Sequence, residues 1–131
     1  MHFFKHTLLV FFTAAMLVSC GTAEGPDVVV EKFENAMNRL DFETAKTYAA
    51  NDIISWIEIV KMGIAADDIE EQKKESENIS VRIVETAYVD GKNKAIVTIE
   101  VINGDEVEKK ERYLVKQDGK WKVTTHWLIP E

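Results

Sequence analysis

The sequence is poor in the residues that build covalent and metal-bound frameworks. It has one cysteine, Cys20, so no intramolecular disulfide can form. Two of its three histidines, His2 and His6, lie in the first six residues, and only His126 belongs to the rest of the chain. These residues do not have the ligand spacing of a metal site. We therefore expect a chain that is held together by burial of side chains and that binds no metal and no cofactor.

Motifs for phosphate binding and for nucleophilic catalysis are also lacking. The sequence contains no glycine-rich phosphate loop and no nucleophilic serine elbow. It has 23 acidic residues against 16 basic ones, a formal net charge of −7 at pH 7. A negative surface repels the phosphates of DNA and RNA, so we expect no nucleic-acid partner. The acidic balance is typical of a surface that serves solubility.

The first twenty residues have the order of a secretion signal. Lys5 supplies a positive charge, and residues 8–18 form an apolar run that only Thr13 interrupts. This run is shorter than the roughly 20 residues that a membrane-spanning helix needs, but it fits the apolar core of a signal peptide. The small residue Ser19 then precedes Cys20.

The segment Leu17-Val18-Ser19-Cys20 resembles the lipobox of bacterial lipoproteins at each of its four positions. The resemblance implies that the thiol of Cys20 receives a diacylglyceryl group and that cleavage leaves Cys20 as the first residue, anchored to a membrane of the bacterial cell envelope. The alternatives are an ordinary signal peptide with an incidental cysteine, or an uncleaved anchor helix. The expected organisation is a signal peptide over 1–19, a lipidated cysteine and tether over 20–25, and one domain over 26–131.

Helical spacing of apolar residues begins after the tether. Pro26 suits the first position of a helix because its missing N–H has no partner there in any case. The apolar positions of this helix are Val29, Phe33, Ala36, Met37 and Leu40. Asp41 is expected to cap a second, short helix, which has Phe42, Ala45, Tyr48 and Ala49 on one side.

A third helix is expected over Ile53–Ile64, capped by Asn51 or Asp52 and ending near Gly63. It is apolar nearly all round, so it must be covered on more than one side. It either lies between a sheet and another helix or leaves one face for a ligand or partner. Residues 67–78 are almost wholly polar and indicate a solvated helical turn or loop.

From Ile79 onward the period of the apolar residues changes to two. Strands are expected over residues 79–89, around 95–101, over about 107–116, and from Trp121 to Trp127. The pairs Asp90-Gly91, Asn103-Gly104 and Asp118-Gly119 are hairpin signals between them. This pattern predicts an α+β domain in which N-terminal helices pack on one face of a curled four-stranded antiparallel sheet.

The helical segment and Asp41-Phe42-Glu43-Thr44-Ala45 resemble the opening of the nuclear transport factor 2-like cone fold, in particular that of small bacterial lipoproteins carrying a domain of unknown function. The matching residues are Phe33 with Ala36, then Asp41 and Phe42 with Ala45, and the terminal Trp121-Lys122-Val123. The resemblance implies a cone whose mouth can hold a small apolar ligand. Some relatives are isomerases, dehydratases or hydrolases, and others are binding or dimerisation modules.

Two carboxylates are weak candidates for catalysis. Glu85 is expected on the apolar side of the first strand, and alternation places Glu111 on the same side of the third strand as Tyr113. A carboxylate inside an apolar cone would have a raised pKa and could act as a general base. A bulge or a strand end that turns either residue into solvent is the alternative. His126 is expected on the surface.

The leading hypothesis is a lipid-anchored, non-catalytic domain that binds a small apolar ligand or a protein partner at the mouth of the cone. The candidate pocket residues are Tyr48, Trp56, Val60, Tyr113 and Trp127. A cone-fold enzyme acting on a small apolar substrate is the first alternative, and a structural envelope protein is the second. A homodimer is expected by analogy with the family.

Overall fold

A computed structural model describes residues 24–89, 91 and 93–125. The expectations about Cys20, His126 and Trp127 therefore lie outside the described residues. The helices are α1 (Pro26–Asn38), α2 (Phe42–Thr47), α3 (Asn51–Gly63) and α4 (Ala66–Ser76). The strands are β1 (Ile79–Val89), β2 (Lys94–Asn103), β3 (Glu106–Gln117) and β4 (Lys120–Thr124). They form one antiparallel sheet in chain order, so the α+β class and the meander are confirmed.

The hydrophobic core lies between α1 and the sheet. Helix α1 contacts β1, β2 and β4 as well as α2, and α3 contacts α2 and β4. The largest fully buried side chains come from both layers: Val30, Ile57, Val97, Ile99, Leu114 and Val123. Burying each aliphatic side chain of this kind contributes roughly 1.5–3 kcal/mol. Among the described helices none is long and apolar enough to cross a membrane.

Helix α1 ends two residues earlier than its apolar spacing predicts. It begins at Pro26 as expected, but Leu40 lies beyond its last residue and has a φ of 58°. The N–H of Leu40 donates to the Met37 carbonyl, and the N–H of Asp41 donates to the Ala36 carbonyl. This pair of bonds is a Schellman motif, which normally favours glycine at the position of Leu40. Leu40 packs against the core instead, and this burial offsets the left-handed backbone.

Asp41 caps α2 as the sequence predicts. Its side chain accepts a hydrogen bond of 3.3 Å from the Thr44 N–H. Hydrogen bonding to the Thr44 side chain, and then to its N–H, lowers the pKa of the Asp41 carboxyl below its usual value. The cap fixes the start of α2, so that Phe42 and Ala45 are buried against α1.

The predicted caps of α3 are wrong. The N-cap is Ala50, without a side-chain cap, because this residue is already held against the sheet. The Ala50 N–H donates to the Val123 carbonyl over 2.8 Å, and the Val123 N–H donates to the Tyr48 carbonyl over 2.9 Å. The segment before α3 thus pairs with the outer edge of β4, and Ala49 forms a parallel bridge to Val123.

Helix α3 is covered on one side only. Ile53 and Ile57 are buried, whereas Trp56 is 48% exposed, Ile59 68% and Met62 82%. Of the two arrangements expected for this apolar helix, the structure has the one that leaves a face open. Helix α4, in the polar stretch 67–78, has no buried residue and is a solvated helix.

A β-bulge interrupts β1. Ile83 pairs with Ile99 and Glu85 pairs with Thr98, so Val84 is an additional residue that the partner strand does not match. Ile99 is fully buried on the helix-facing side of the sheet. The bulge therefore reverses the alternation of every later residue of β1.

The reversal corrects the predicted faces of β1. Tyr88 pairs with the buried Ala95 and faces the helices, where its ring centroid lies 5.9 Å from that of Trp121. Strict alternation along the strand places Ala87 and Val89 on the apolar side with Ile83, and this placement is wrong because both follow the bulge and face outward. Trp121 is buried.

The hairpin between β3 and β4 follows the turn signal in the sequence. Gln117 pairs with Lys120, so the loop consists of Asp118 and Gly119. Both have positive φ, 52° and 78°, as a type I′ turn requires.

Candidate functional site

A charged pair joins α1 to β3, with Glu34 buried and Arg112 half-buried. The Arg112 Nε lies 2.7 Å from Glu34 Oε2, and Arg112 Nη2 lies 3.1 Å from Glu34 Oε1. Glu34 is 7% exposed. Arg112 stands on the helix-facing side because it pairs with the buried Val97 on β2. Two parallel bonds fix the plane of the guanidinium as well as its position.

This pair lies in the wall of a groove of about 280 Å³ between α1, α3 and the end of β4, which we call the Arg112 groove. Its apolar lining consists of Phe33, Met37, Ile53, Trp56 and Val123. Its polar lining consists of Glu34, Glu111, Arg112, Tyr113, Thr124 and Thr125. The volume is close to the lower end of the range for small-molecule pockets, and a mixed lining of this kind is typical of them.

Asp52 joins α3 to the end of β4 beside the groove. Its Oδ2 accepts bonds of 2.7 Å from the Thr124 hydroxyl, 2.9 Å from the Thr125 N–H and 2.7 Å from the Thr125 hydroxyl. Its Oδ1 accepts a bond of 2.9 Å from the Ile53 N–H. Burial raises the pKa of the Asp52 carboxyl, but these four bonds outweigh burial, and the resulting pKa is lower than usual.

The lowered pKa makes the stability of this contact depend on pH. Replacing Asp52 with asparagine should lower the free energy of unfolding by about 1 kcal/mol at neutral pH, since the site is largely exposed and screened. A carboxyl whose pKa is lower in the folded state stabilises the fold above its unfolded pKa, and this contribution is lost as the pH falls through the folded pKa. The difference between wild type and Asp52→Asn should therefore shrink at about pH 3, measured by urea unfolding.

The matched control is Asp105→Asn in the exposed turn between β2 and β3, which should change the stability little at either pH. An Asp52→Asn difference of equal size at neutral and acidic pH would contradict the role of the charge.

A second cavity of about 350 Å³, the Tyr48 cleft, lies at the other end of β4. It is lined by Glu24, Val29, Thr47, Tyr48, Lys120, Trp121 and Lys122. The Lys32 Nζ lies 6.0 Å from the centre of the Tyr48 ring, and Lys32 forms an ion pair with Glu24.

The predicted pocket residues fall into different places. Trp56 and Tyr113 line the Arg112 groove, whereas Tyr48 lines the Tyr48 cleft. Val60 is half-buried against the core and lines neither cavity. Trp127 lies outside the described residues. The structure thus brings Trp56 and Tyr113 together in one cavity and places Tyr48 in another.

Of the two positions considered for Glu85, the structure has the one in which a bulge turns it outward. The bulge at Val84 turns Glu85 to the outer face of the sheet, where it is exposed. Glu111 pairs with Thr98 on the same outer face and is exposed at the rim of the Arg112 groove. Its Oε1 accepts a bond of 3.4 Å from the Tyr113 hydroxyl. Both carboxylates are thus open to solvent and lack the apolar surroundings expected inside a cone.

Sequence reasoning missed the Glu34–Arg112 pair. Glu34 follows the buried Val30 by four residues and precedes Met37 by three, so helical spacing places it on the apolar side of α1. A charged residue at such a position is a signal for a buried partner. The partner itself is 78 residues away in sequence, and no local pattern marks it.

The groups of the Arg112 groove that are not already hydrogen-bonded determine which ligands it can bind. Arg112 Nη1 has no partner in the part of the chain that the structure describes, so it can donate to a ligand. The described residues contain no group of three histidine, cysteine or carboxylate side chains that could hold a metal ion. The groove therefore combines an apolar wall with a fixed hydrogen-bond donor.

Comparison of the chain with known protein families, with curated proteins and with solved structures gives no match.

Proposed function

We propose that this protein is a bacterial lipoprotein, anchored to a membrane of the cell envelope through Cys20, and that its domain binds a small amphipathic ligand without catalysing a reaction. The domain would be a nuclear transport factor 2-like cone. The order of four helices and a four-stranded meander in residues 24–125, with α1 packed across β1, β2 and β4, supports this type of fold.

The observation that carries the binding function is the Arg112 groove. Phe33, Met37 and Trp56 provide a surface for an apolar body, and the guanidinium of Arg112, which lines the same groove, provides hydrogen-bond donors. Glu34 already neutralises the guanidinium, and Glu111 stands at the rim. An uncharged end that accepts hydrogen bonds therefore suits the groove better than a carboxylate does. Room for such a ligand also favours binding over a purely structural role.

Titration of residues 21–131 with decanol, followed by tryptophan fluorescence, tests the proposal. Decanol should change the emission, and Trp56→Ala should weaken its binding by about tenfold because the ligand loses an aromatic contact. Ile59→Ala is the matched control, since this side chain is exposed on the same helix but lies outside the groove. An unchanged emission, or equal weakening by both substitutions, would contradict binding in the groove.

A specific observation favours a protein partner as the second candidate. Trp56, Ile59 and Met62 form an exposed apolar row along α3, and large apolar side chains of this kind are typical of interaction surfaces. In contrast, the exposed positions of Glu85 and Glu111 give no support to the enzyme alternative.

A further inference from the structure

Positive charge is concentrated on one hairpin of this acidic chain. The strands next to the β3–β4 turn carry Lys116, Lys120 and Lys122, and Asp118 is the only carboxylate among residues 116–122. Lys116 and Lys120 are exposed and Lys122 is half-buried. Lys116 lies on the helix-facing side with its pair partner Trp121, and Lys120 and Lys122 lie on the other side, so positive charge surrounds this end of the sheet on a chain of net charge −7.

None of the three lysines forms an ion pair with another of the described residues. The Lys116 Nζ lies 5.6 Å from the centre of the Trp121 ring, and the Lys122 Nζ donates to the Thr47 carbonyl over 2.7 Å. Most other described cations face a carboxylate: Lys32, Lys46, Lys61, Arg82, Lys110 and Arg112. Lys73, Lys74 and Lys109 lie on elements rich in carboxylates. The charge of the hairpin therefore remains available to an outside partner.

The hairpin also lies next to the point where the tether reaches the domain. Glu24 lines the Tyr48 cleft together with Lys120 and Lys122. Cys20 precedes Glu24 by four residues, so the chain between them spans at most about 14 Å. An anchor at Cys20 would therefore hold this side of the domain close to the lipid headgroups.

We propose that the β3–β4 hairpin, through Lys116, Lys120 and Lys122, docks the domain on a membrane surface that contains anionic phospholipid. The inference rests on the proposed anchor at Cys20. Charge complementarity identifies the partner, since lysines near an anionic bilayer bind it electrostatically and a neutral bilayer gives no such attraction. Tyr48, beside the lysines, adds an amphipathic ring of the type found at membrane interfaces.

Docking in this orientation has a consequence for the Arg112 groove. The Tyr48 cleft lies at the Lys120 end of β4, and the groove lies at the Thr124 end. Four residues of extended chain separate these ends by about 14 Å. The hairpin contacts the bilayer while the groove faces away from it and stays open to the aqueous compartment.

The test uses the full lipidated chain in vesicles of phosphatidylcholine alone, or of phosphatidylcholine with about one third phosphatidylglycerol. Acetylation of each lysine is followed by mass spectrometry. The anionic vesicles should slow acetylation of Lys116, Lys120 and Lys122 by about fivefold, while Lys109 reacts at the same rate in both. High salt should abolish the protection.

A triple variant, Lys116→Gln with Lys120→Gln and Lys122→Gln, gives a second readout through energy transfer from tryptophan to a dansyl-labelled headgroup. In anionic vesicles its transfer should fall to the level seen with phosphatidylcholine alone. Lys73→Gln with Lys74→Gln and Lys109→Gln removes the same charge elsewhere and should leave the transfer unchanged.

The outcomes separate the two proposals. A chain that fails to associate with either vesicle would overturn the anchor and this inference with it. A chain that associates with both, but whose hairpin lysines react equally in both, would leave the anchor standing and overturn the docking. Equal protection of the hairpin by a soluble anionic polymer would also overturn it, because the surface would then recognise polyanions in general.

Discussion

Replacing Arg112 with alanine should lower the free energy of unfolding by about 3–5 kcal/mol. The substitution removes both bonds to Glu34 and leaves this buried carboxylate without its cation. An uncompensated charge at such a site costs far more than the net value of an ion pair, because water cannot solvate it. Urea unfolding at neutral pH, followed by circular dichroism, measures the change as a shift of the midpoint.

The control for this prediction replaces both partners. Glu34→Leu combined with Arg112→Met keeps the volume of the side chains and removes both charges, so the double variant should be close to the wild type in stability. If Arg112→Ala lowers the free energy of unfolding by less than about 1 kcal/mol, Glu34 must be solvated by water or bonded to another partner. This result would contradict the predicted importance of the Glu34–Arg112 pair for stability.

Replacing Cys20 with alanine should abolish incorporation of a palmitate analogue and release the chain from the membrane fraction. The proposed modification requires the cysteine sulfur, and alanine has no atom that can carry the diacylglyceryl group. Two or more acyl chains give stable attachment, so the unmodified variant should lose membrane attachment completely. Metabolic labelling of cells that express either form, followed by fractionation, provides the measurement.

Ser19→Ala is the matched control, because it keeps a small residue before the cysteine and should retain the label. Equal labelling of the wild type and Cys20→Ala would end the lipoprotein proposal.

Periodicity in the sequence predicts most of the secondary structure. The start of α1 at Pro26, the cap at Asp41 and the end of α3 at Gly63 are all found where their residue types indicate. These features depend on neighbours within four or five positions, and the sequence shows such neighbours directly. The same holds for the turn at Asp118 and Gly119.

The bulge at Val84 could not be predicted in this way. The run Ile83-Val84-Glu85 has no glycine or proline that would mark an irregular strand, and strict alternation predicts Glu85 on the apolar side. The register is decided by β2, where Ile99 and Val97 must both be buried opposite β1. A single additional residue then exchanges the two faces of the strand.

The candidate site was predictable only in part for the same reason. Trp56 and Tyr113 stand out as large aromatic side chains, and both line the Arg112 groove. Tyr48 is also a large aromatic side chain, but it lines the Tyr48 cleft with Lys120 and Trp121 instead. Whether two residues line the same cavity depends on contacts between distant parts of the chain, and the sequence does not show these contacts directly.

The backbone pairing along β4 also limits how copies of this domain can join. Because the segment before α3 pairs with β4 at Val123, β1 is the one edge strand of the described sheet with no neighbour anywhere along its outer side. A sheet that continues from one molecule to the next needs two unpaired edge strands on every molecule, so that each copy pairs with a neighbour on both sides. Association of two copies through β1 would use the open edge of both, so such an assembly closes as a pair and does not propagate into a fibre.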